Sequence, residues 1–305
     1  MPPNHEFSNS SSSSSLIVEA APSSPSVFSV EAIVCRYRET ALPTELQTLA
    51  AQATQDITSF LATTPTTLQL TSFGPTGLVT LDLLARSGLL ASIPVLFIDT
   101  LHHFQETYDL IANIKARYPA LRLHIYKPKG METREQFEEK FGQNLWEKAP
   151  SKFGYYTKVE PRDRAMAELG ATAYLNGRRK GQGDQRVTLS LVDEDPEMNI
   201  TRVQPLVNWS FPQVWAYLIE YNVPYNALHD QGFKSVGDVM TSAAVGQEED
   251  ERAGRWKGSH QSECGLHLTP KQLALLGIDT TTTDAATTTT ATATELTTLV
   301  TVGGH

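Results

Sequence analysis

Cysteine is scarce in this chain: Cys35 and Cys264 are the two thiols among 305 residues. Two thiols cannot build a disulfide framework, so a reducing compartment is expected, with the cytoplasm as the default. Long apolar runs are missing as well, and none approaches the ~18 residues that span a membrane. Basic residues are absent before Arg36, and the opening has no continuous apolar core. Neither a secretory signal nor a mitochondrial presequence is therefore expected. Positive charge is short overall, with a formal charge of −9 and a pI near 5.4. That balance excludes general nucleic-acid binding. An anionic ligand must be held by local clusters of cations.

What is present divides into three stretches. Residues 1–30 are rich in Ser and Pro, including the serine run Ser10–Ser15, and read as a disordered segment. The span 31–262 carries the periodic patterns of a folded α/β domain. Residues 263–305 hold Cys264 and a tail that is nearly all Thr and Ala from Asp279 to Thr298.

Within the middle stretch strands and helices alternate. Thr44-Glu45-Leu46-Gln47 reads as a capping box opening a helix over 44–62. Thr67–Ser72 reads as a strand, and a helix follows with Leu78, Leu81, Leu84 and Ala85, ending near Gly88. Ile93–Ile98 is a buried-strand run leading to a helix over Phe104–Tyr118. Leu121–Tyr126, Thr172–Asn176 and Val187–Leu191 read as further strands, with a helix from Arg134 onward. Ser210-Phe211-Pro212-Gln213 and Thr269-Pro270-Lys271-Gln272 repeat the capping signal before two more helices. This alternation predicts a doubly wound, mostly parallel sheet, whose ligands bind beyond the C-terminal strand ends. Ser72-Phe73-Gly74 and Asp99-Thr100 fall there.

Several clusters carry chemistry. Ser72-Phe73-Gly74-Pro75-Thr76-Gly77 places a tight loop between a strand and a helix start, where free amides and the helix dipole favour an anion. An ordinary strand–helix turn fits the spacing about equally well. The run Asn176 to Arg186 holds four cations and three glycines after a strand. It suits a phosphate or sulfate clamp, against the alternative of a solvated basic loop. Arg252, Arg255 and Lys257 form a third cationic group, which the preceding Glu248–Glu251 run could neutralise. Cys264, in Glu263-Cys264-Gly265-Leu266-His267, sits among polar neighbours behind these cations. Nearby positive charge lowers a thiol pKa, so a nucleophile is expected. The spacing of His260, Cys264 and His267 offers too few thiolates for a closed zinc site.

Taken in order, Ser72-Phe73-Gly74, Asp99-Thr100, Lys158-Val159-Glu160-Pro161, Gly177-Arg178-Arg179 through Gln182-Gly183, Ser235-Val236-Gly237-Asp238, Glu249 through Gly258, and Glu263–His267 resemble the phosphoadenylyl-sulfate (PAPS) reductase family, most closely its fungal members. The resemblance runs from about Thr67 to His267. It implies an adenine nucleotide alpha hydrolase-like fold related to the PP-loop ATP pyrophosphatases. Where those enzymes carry Ser-Gly-Gly-x-Asp-Ser, this chain has Phe73, Thr76 and Gly77 in place of the first Gly, the Asp and the last Ser. That implies a loop repurposed for a sulfonucleotide.

The resemblance also implies a mechanism. The Cys264 thiolate attacks the sulfur of PAPS, expels adenosine 3',5'-bisphosphate and leaves S-sulfocysteine; thioredoxin or glutaredoxin then releases sulfite. Lys158, Arg252 and Arg255 are the candidates for the phosphosulfate, and Arg178 and Arg179 for a phosphate. Ser72, Phe73, Gly74, Thr76, Gly77, Asp99, Thr100, Gln182, Gly183 and Lys257 complete the expected substrate-binding set, with His267 beside the thiol. A homodimer is expected.

Related adenylyl-sulfate (APS) reductases hold an iron–sulfur cluster on a Cys-Cys pair and a later Cys-x-x-Cys. This chain has Phe153-Gly154 and Asp238-x-x-Thr241 at those places, so no cluster and no other cofactor is expected. The residues after His267 are too few for a thioredoxin-like domain, and an external reductant is implied. Two positions depart from the family pattern: Met240 stands where it has His, and Gln105 where it has Pro. A cluster-free APS reductase and a non-catalytic sulfonucleotide-binding protein remain the alternatives.

Overall fold

The computed structural model describes residues 27–42, 44–183, 186–196, 198–257, 270–275 and 277–278. Helices α1 (Val30–Thr40) and α2 (Glu45–Thr63) come first, followed by strand β1 (Thr67–Leu70) and α3 (Pro75–Arg86). Then come β2 (Pro94–Ile98), α4 (Gln105–Arg117) and β3 (Arg122–Tyr126). Four helices follow, α5 (Arg134–Phe141), α6 (Leu145–Lys148), α7 (Pro150–Gly154) and α8 (Glu160–Glu168). A π-helical turn, Tyr155–Val159, joins the last two. Strands β4 (Ala173–Leu175), β5 (Val192–Asp195) and β6 (Ile200–Val203) then precede α9 (Phe211–Glu220) and α10 (Pro270–Leu275).

The six strands form one sheet in the order β3-β2-β1-β4-β6-β5. All neighbours are parallel except the β5–β6 hairpin. The central strands are buried on both faces, as parallel sheets require. Side-chain alternation divides them. Val95 and Phe97 of β2 join the main core with α1, α2, α3, α4 and α9. Leu68, Leu70, Leu96 and Ile98 face the other way, onto Ala165 and Met166 of α8. Each fully buried side chain of this size contributes about 1.5–3 kcal/mol. No helix among the described residues is long and apolar enough to cross a membrane.

Sequence expectation and structure differ at four places. The Val187–Leu191 strand does not form: that segment is a turn and loop, with Leu189 N bonding to Arg186 O and Val187 exposed. The strand starts at Val192 because its pairing with Val203 is set by the Asp195–Ile200 turn, where Met198 N donates to Asp195 Oδ1. The Thr44 capping box is also absent. Helix α2 starts as expected, but the Thr44 side chain makes no cap bond, and Glu45 instead accepts from Gln213 of α9. Residues 27–30 lie inside the fold: Val27 bridges Gly246 and Phe28 is buried against Trp215. Cys35 lies exposed on α1, a helix that the composition did not announce. The Ser210–Gln213 capping box forms in full and starts α9.

Candidate active site

Strand order reverses between β1 and β4, since β2 and β3 lie on one side and β6 and β5 on the other. Loops leaving two such strands diverge and leave a crevice. A cavity of about 240 Å³ opens there. The loop after β1, Ser72–Gly77, forms one wall, and the loop after β4, from Asn176, forms the next.

The first loop is built around a left-handed residue. Phe73 has φ +54, which costs a non-glycine residue about 1–2 kcal/mol. Its ring, 1% exposed, offsets that cost by packing on Phe97. The turn therefore sends Phe73 into the core and leaves Ser72, Gly74, Thr76 and Gly77 on the cavity. Gln69 Nε2 donates to Gly77 O at 2.8 Å and fixes the first turn of α3 to β1. Gly77 must lack a side chain, because a Cβ would collide with Thr71 Oγ1. Gly177 is nearly as confined: its Cβ would lie 3.0 Å from Gly77 N. The two loops thus touch backbone to backbone.

Cations and carboxylates meet across this cavity. Lys158, Arg179, Arg186, Lys234, Arg252 and Arg255 line it, against the carboxylates of Asp238 and Glu251. In a chain of net charge −9, this is the local concentration of positive charge that an anionic ligand needs. Lys158 Nζ donates to Asp238 Oδ2 at 2.6 Å, and Thr100 Oγ1 donates to Asp238 Oδ1 at 2.6 Å. Burial alone would raise the Asp238 pKa. The Lys158 ammonium and His103, with the hydrogen bonds from Lys158 and Thr100, override it and hold the carboxyl well below its ordinary range.

A second pair lines the same cavity, and its Arg179 is 1% exposed. Its Nε donates to Thr76 Oγ1 at 3.0 Å, Nη1 to Trp209 O at 2.9 Å and Nη2 to Glu251 Oε2 at 2.5 Å. Burial pushes the Glu251 carboxyl up, against the pull of Arg179. Arg255 lies 4.5 Å over the Trp256 ring and Arg252 5.6 Å from it. The Lys234 ammonium, 6% exposed, donates to the carbonyls of Gln247 and Glu249. That contact anchors the turn leading to Arg252.

The expected residues sort accordingly. Ser72, Gly74, Thr76, Gly77, Thr100, Lys158, Arg179, Gln182, Arg252 and Arg255 all reach the cavity. Phe73, Asp99, Arg178, Gly183 and Lys257 do not line it. Asp99 is buried and holds its own turn, accepting from Leu101 N at 2.9 Å and Tyr108 OH at 2.8 Å. Lys257 is exposed. Cys264 and His267 lie outside the described residues. Met240 packs on the cluster of Leu101, Met131, Phe137 and Phe153. Sequence reasoning did not single out Lys234, placed Asn176 and Arg186 only within the expected clamp, and quoted Asp238 and Glu251 within motifs without giving them a role. The Gly237-Asp238 pair and the acid before Arg252 were the available signals, because carboxylates flanked by cations are natural partners for them.

The fold is a doubly wound, mostly parallel α/β sheet with a cation-rich crevice at its strand-order reversal. A mutant of Candida glabrata FMN adenylyltransferase shares this fold at TM-score 0.50 and 16% identity, over 81% of this chain and 87% of that one. More similar proteins name the family. Residues 66–244 match the phosphoadenosine phosphosulfate reductase domain. The phosphoadenosine phosphosulfate reductase of Emericella nidulans is 44% identical over 70% of this chain and 70% of its own. The phosphate complex of phosphoadenylyl-sulfate (PAPS) reductase from Candida auris matches at TM-score 0.58 and 39% identity, covering 67% of this chain and 98% of that chain. The chain belongs to the phosphoadenosine phosphosulfate reductase family and is an enzyme of that family.

Proposed function

We propose that the chain reduces PAPS to sulfite, releasing adenosine 3',5'-bisphosphate, within assimilatory sulfate reduction. The observation that carries this reading is the cation-lined crevice at the strand-order reversal, whose first loop has Thr76 where an ATP pyrophosphatase has Asp. Without that carboxylate the loop has no metal ligand for pyrophosphate chemistry, and its amides and cations are left to hold the oxyanions of a sulfonucleotide.

In the proposed reaction the Cys264 thiolate attacks the sulfuryl sulfur of PAPS. The new S–S bond forms as the S–O bond to the phosphate breaks, and the electron pair leaves with the bisphosphate. Lys158, Arg252 and Arg255 stabilise the charge that grows on the leaving phosphate. A reduced dithiol protein, thioredoxin or glutaredoxin, then attacks Cys264 Sγ and expels sulfite. Its second thiol resolves the mixed disulfide, so the dithiol supplies both electrons and Cys264 returns as thiol. In this reading 31–262 is the nucleotide-binding domain, 263–305 carries the nucleophile, and the enzyme works as a homodimer in the cytoplasm.

The test is a mass spectrum of the protein mixed with PAPS in the absence of reductant. A sulfonate adduct on Cys264 is expected, and Cys264→Ser should bind nucleotide but release no sulfite. Bound nucleotide without an adduct would overturn the catalytic reading. Sulfite release from PAPS should exceed release from APS, and the reverse would reassign the substrate.

A further inference from the structure

The wall formed by the second loop contains a donor without an acceptor. Asn176 directly follows β4, is 6% exposed and lines the cavity. Its Oδ1 accepts the Arg178 N–H at 3.0 Å. That bond fixes the amide orientation, because only the oxygen can receive an N–H. Nδ2 is therefore the remaining end, and it has no hydrogen-bond partner among the described residues. Leaving a buried amide donor unpaired costs about 1–3 kcal/mol, and such a group calls for an explanation.

The surroundings supply one. Gly177, the next residue, packs against Gly77 N and Thr76 Cβ at the start of α3. The first hydrogen bond back from α3 comes from Leu78 N to Gly74 O. The amides of Thr76 and Gly77 therefore precede the intrahelical ladder, at the positive end of a 12-residue helix. Both residues line the same cavity as Asn176. A helix N-terminus with an orphaned amide donor beside it presents donors to one oxyanion.

We propose that Asn176 is a substrate-binding residue whose Nδ2 donates to an anionic oxygen, phosphoryl or sulfuryl, held at the N-terminus of α3. This rests on the sulfonucleotide reading above. Its partner must be an acceptor, which a phosphoryl or sulfuryl oxygen always is. The same side chain also holds the Arg178 amide, so the two roles must be separated.

Two substitutions separate them. Asn176→Asp keeps the acceptor for Arg178 N–H and places a negative charge where the donor stood. Asn176→Ala loses both bonds. Binding of adenosine 3',5'-bisphosphate and of inorganic phosphate is measured by calorimetry, with thermal unfolding alongside. Asp should unfold close to wild type yet bind the bisphosphate at least about 10-fold more weakly, the loss expected for a hydrogen bond to a charged group. Ala should bind no worse than Asp. A purely structural Asn176 predicts the opposite order, with Ala, which loses the bond to Arg178 N–H, binding more weakly than Asp, and that result would overturn the proposal. Wild-type protein that binds phosphate but not the bisphosphate would remove the nucleotide reading and leave the oxyanion cradle standing. Binding of neither would overturn both.

Discussion

Two buried ion pairs line the cavity, and they are built differently. Lys158 meets Asp238 from a long flexible stem, with 14% of its side chain exposed. One of its three donors is committed to the carboxylate. Arg179 is 1% exposed, and each of its three nitrogens already has an acceptor, on Thr76, Trp209 and Glu251. The Lys158 ammonium retains donors for an incoming oxyanion. Arg179 instead ties three chain segments together: the α3 start, the approach to α9 and the acidic turn before Arg252. An arginine in a basic motif can thus be a structural tie, while a lysine outside any basic run keeps donors for an oxyanion.

The largest effect should come from breaking the tie. Arg179→Ala leaves Glu251 buried without its countercharge and strips partners from Thr76 and the Trp209 carbonyl. Removing one member of a buried pair costs about 3–5 kcal/mol, so urea unfolding should shift by that order. A shift below about 1 kcal/mol would show that the tie is not structural. The Lys158–Asp238 pair should respond in activity. The double variant Lys158→Met with Asp238→Asn removes both charges at once and should keep stability within about 1–2 kcal/mol. Sulfite formation should fall by about 10²-fold or more, the scale of a lost charge-stabilising donor. Full turnover by that variant would erase the contrast between the pairs.

The two carboxylates also give the comparison a pH signature. Asp238 is held below its ordinary value in the fold. Its stabilisation is present above about pH 4, the unfolded value, and is lost as pH falls toward the folded one. Glu251 is displaced upward by burial. Its ionisation opposes folding, a cost that grows as pH rises from the unfolded value of about 4 toward the raised folded value, levels off above it and shrinks as pH falls. Stability relative to Asp238→Asn should therefore decline as pH drops below about 4. Stability relative to Glu251→Gln should improve over the acid limb above that. Urea unfolding of the three proteins from pH 3 to 7 reads both slopes, and parallel curves would contradict the asymmetry.

The sequence made the crevice legible and left its wiring hidden, for a physical reason. The alternating Leu68 and Leu70 marked β1, the continuous apolar run marked β2, and the Ser210–Gln213 capping box marked α9, because those signals are local. The Val187–Leu191 segment carries the same apolar alternation but has no strand partner. Pairing with β6 is decided by a turn several residues later. Phe73 and Asp99 were placed in the right loops, but their side chains serve the core and the turn. The contacts that define the site join residues 80 positions apart in Lys158–Asp238 and 72 apart in Arg179–Glu251. No local pattern reports such distances. Asp238 was visible within a family-like motif, yet a carboxylate in an anion site makes sense only once its lysine is seen beside it.

The smallest predicted effect probes how the cations of the cavity are held in place. Gly237 precedes Asp238, and a Cβ there would overlap Cζ, Nη1 and Nη2 of Arg255. The guanidinium lies over the bare backbone on one side and 4.5 Å from the Trp256 ring on the other. Gly237→Ala therefore displaces the far end of a flexible side chain and leaves the backbone undisturbed, so unfolding should change little. Arg255 would leave its position on the cavity, and affinity for the bisphosphate should fall by about 5–10-fold, a loss in the range of one weakened charged hydrogen bond. If Gly237 acts through Arg255, the substitution should add almost nothing in an Arg255→Ala background, since coupled residues are non-additive. An undiminished effect in that background would mean that Gly237 serves the Lys158–Asp238 pair directly. Gly237 and that pair would then be a single unit, and Arg255 would be one of its neighbours.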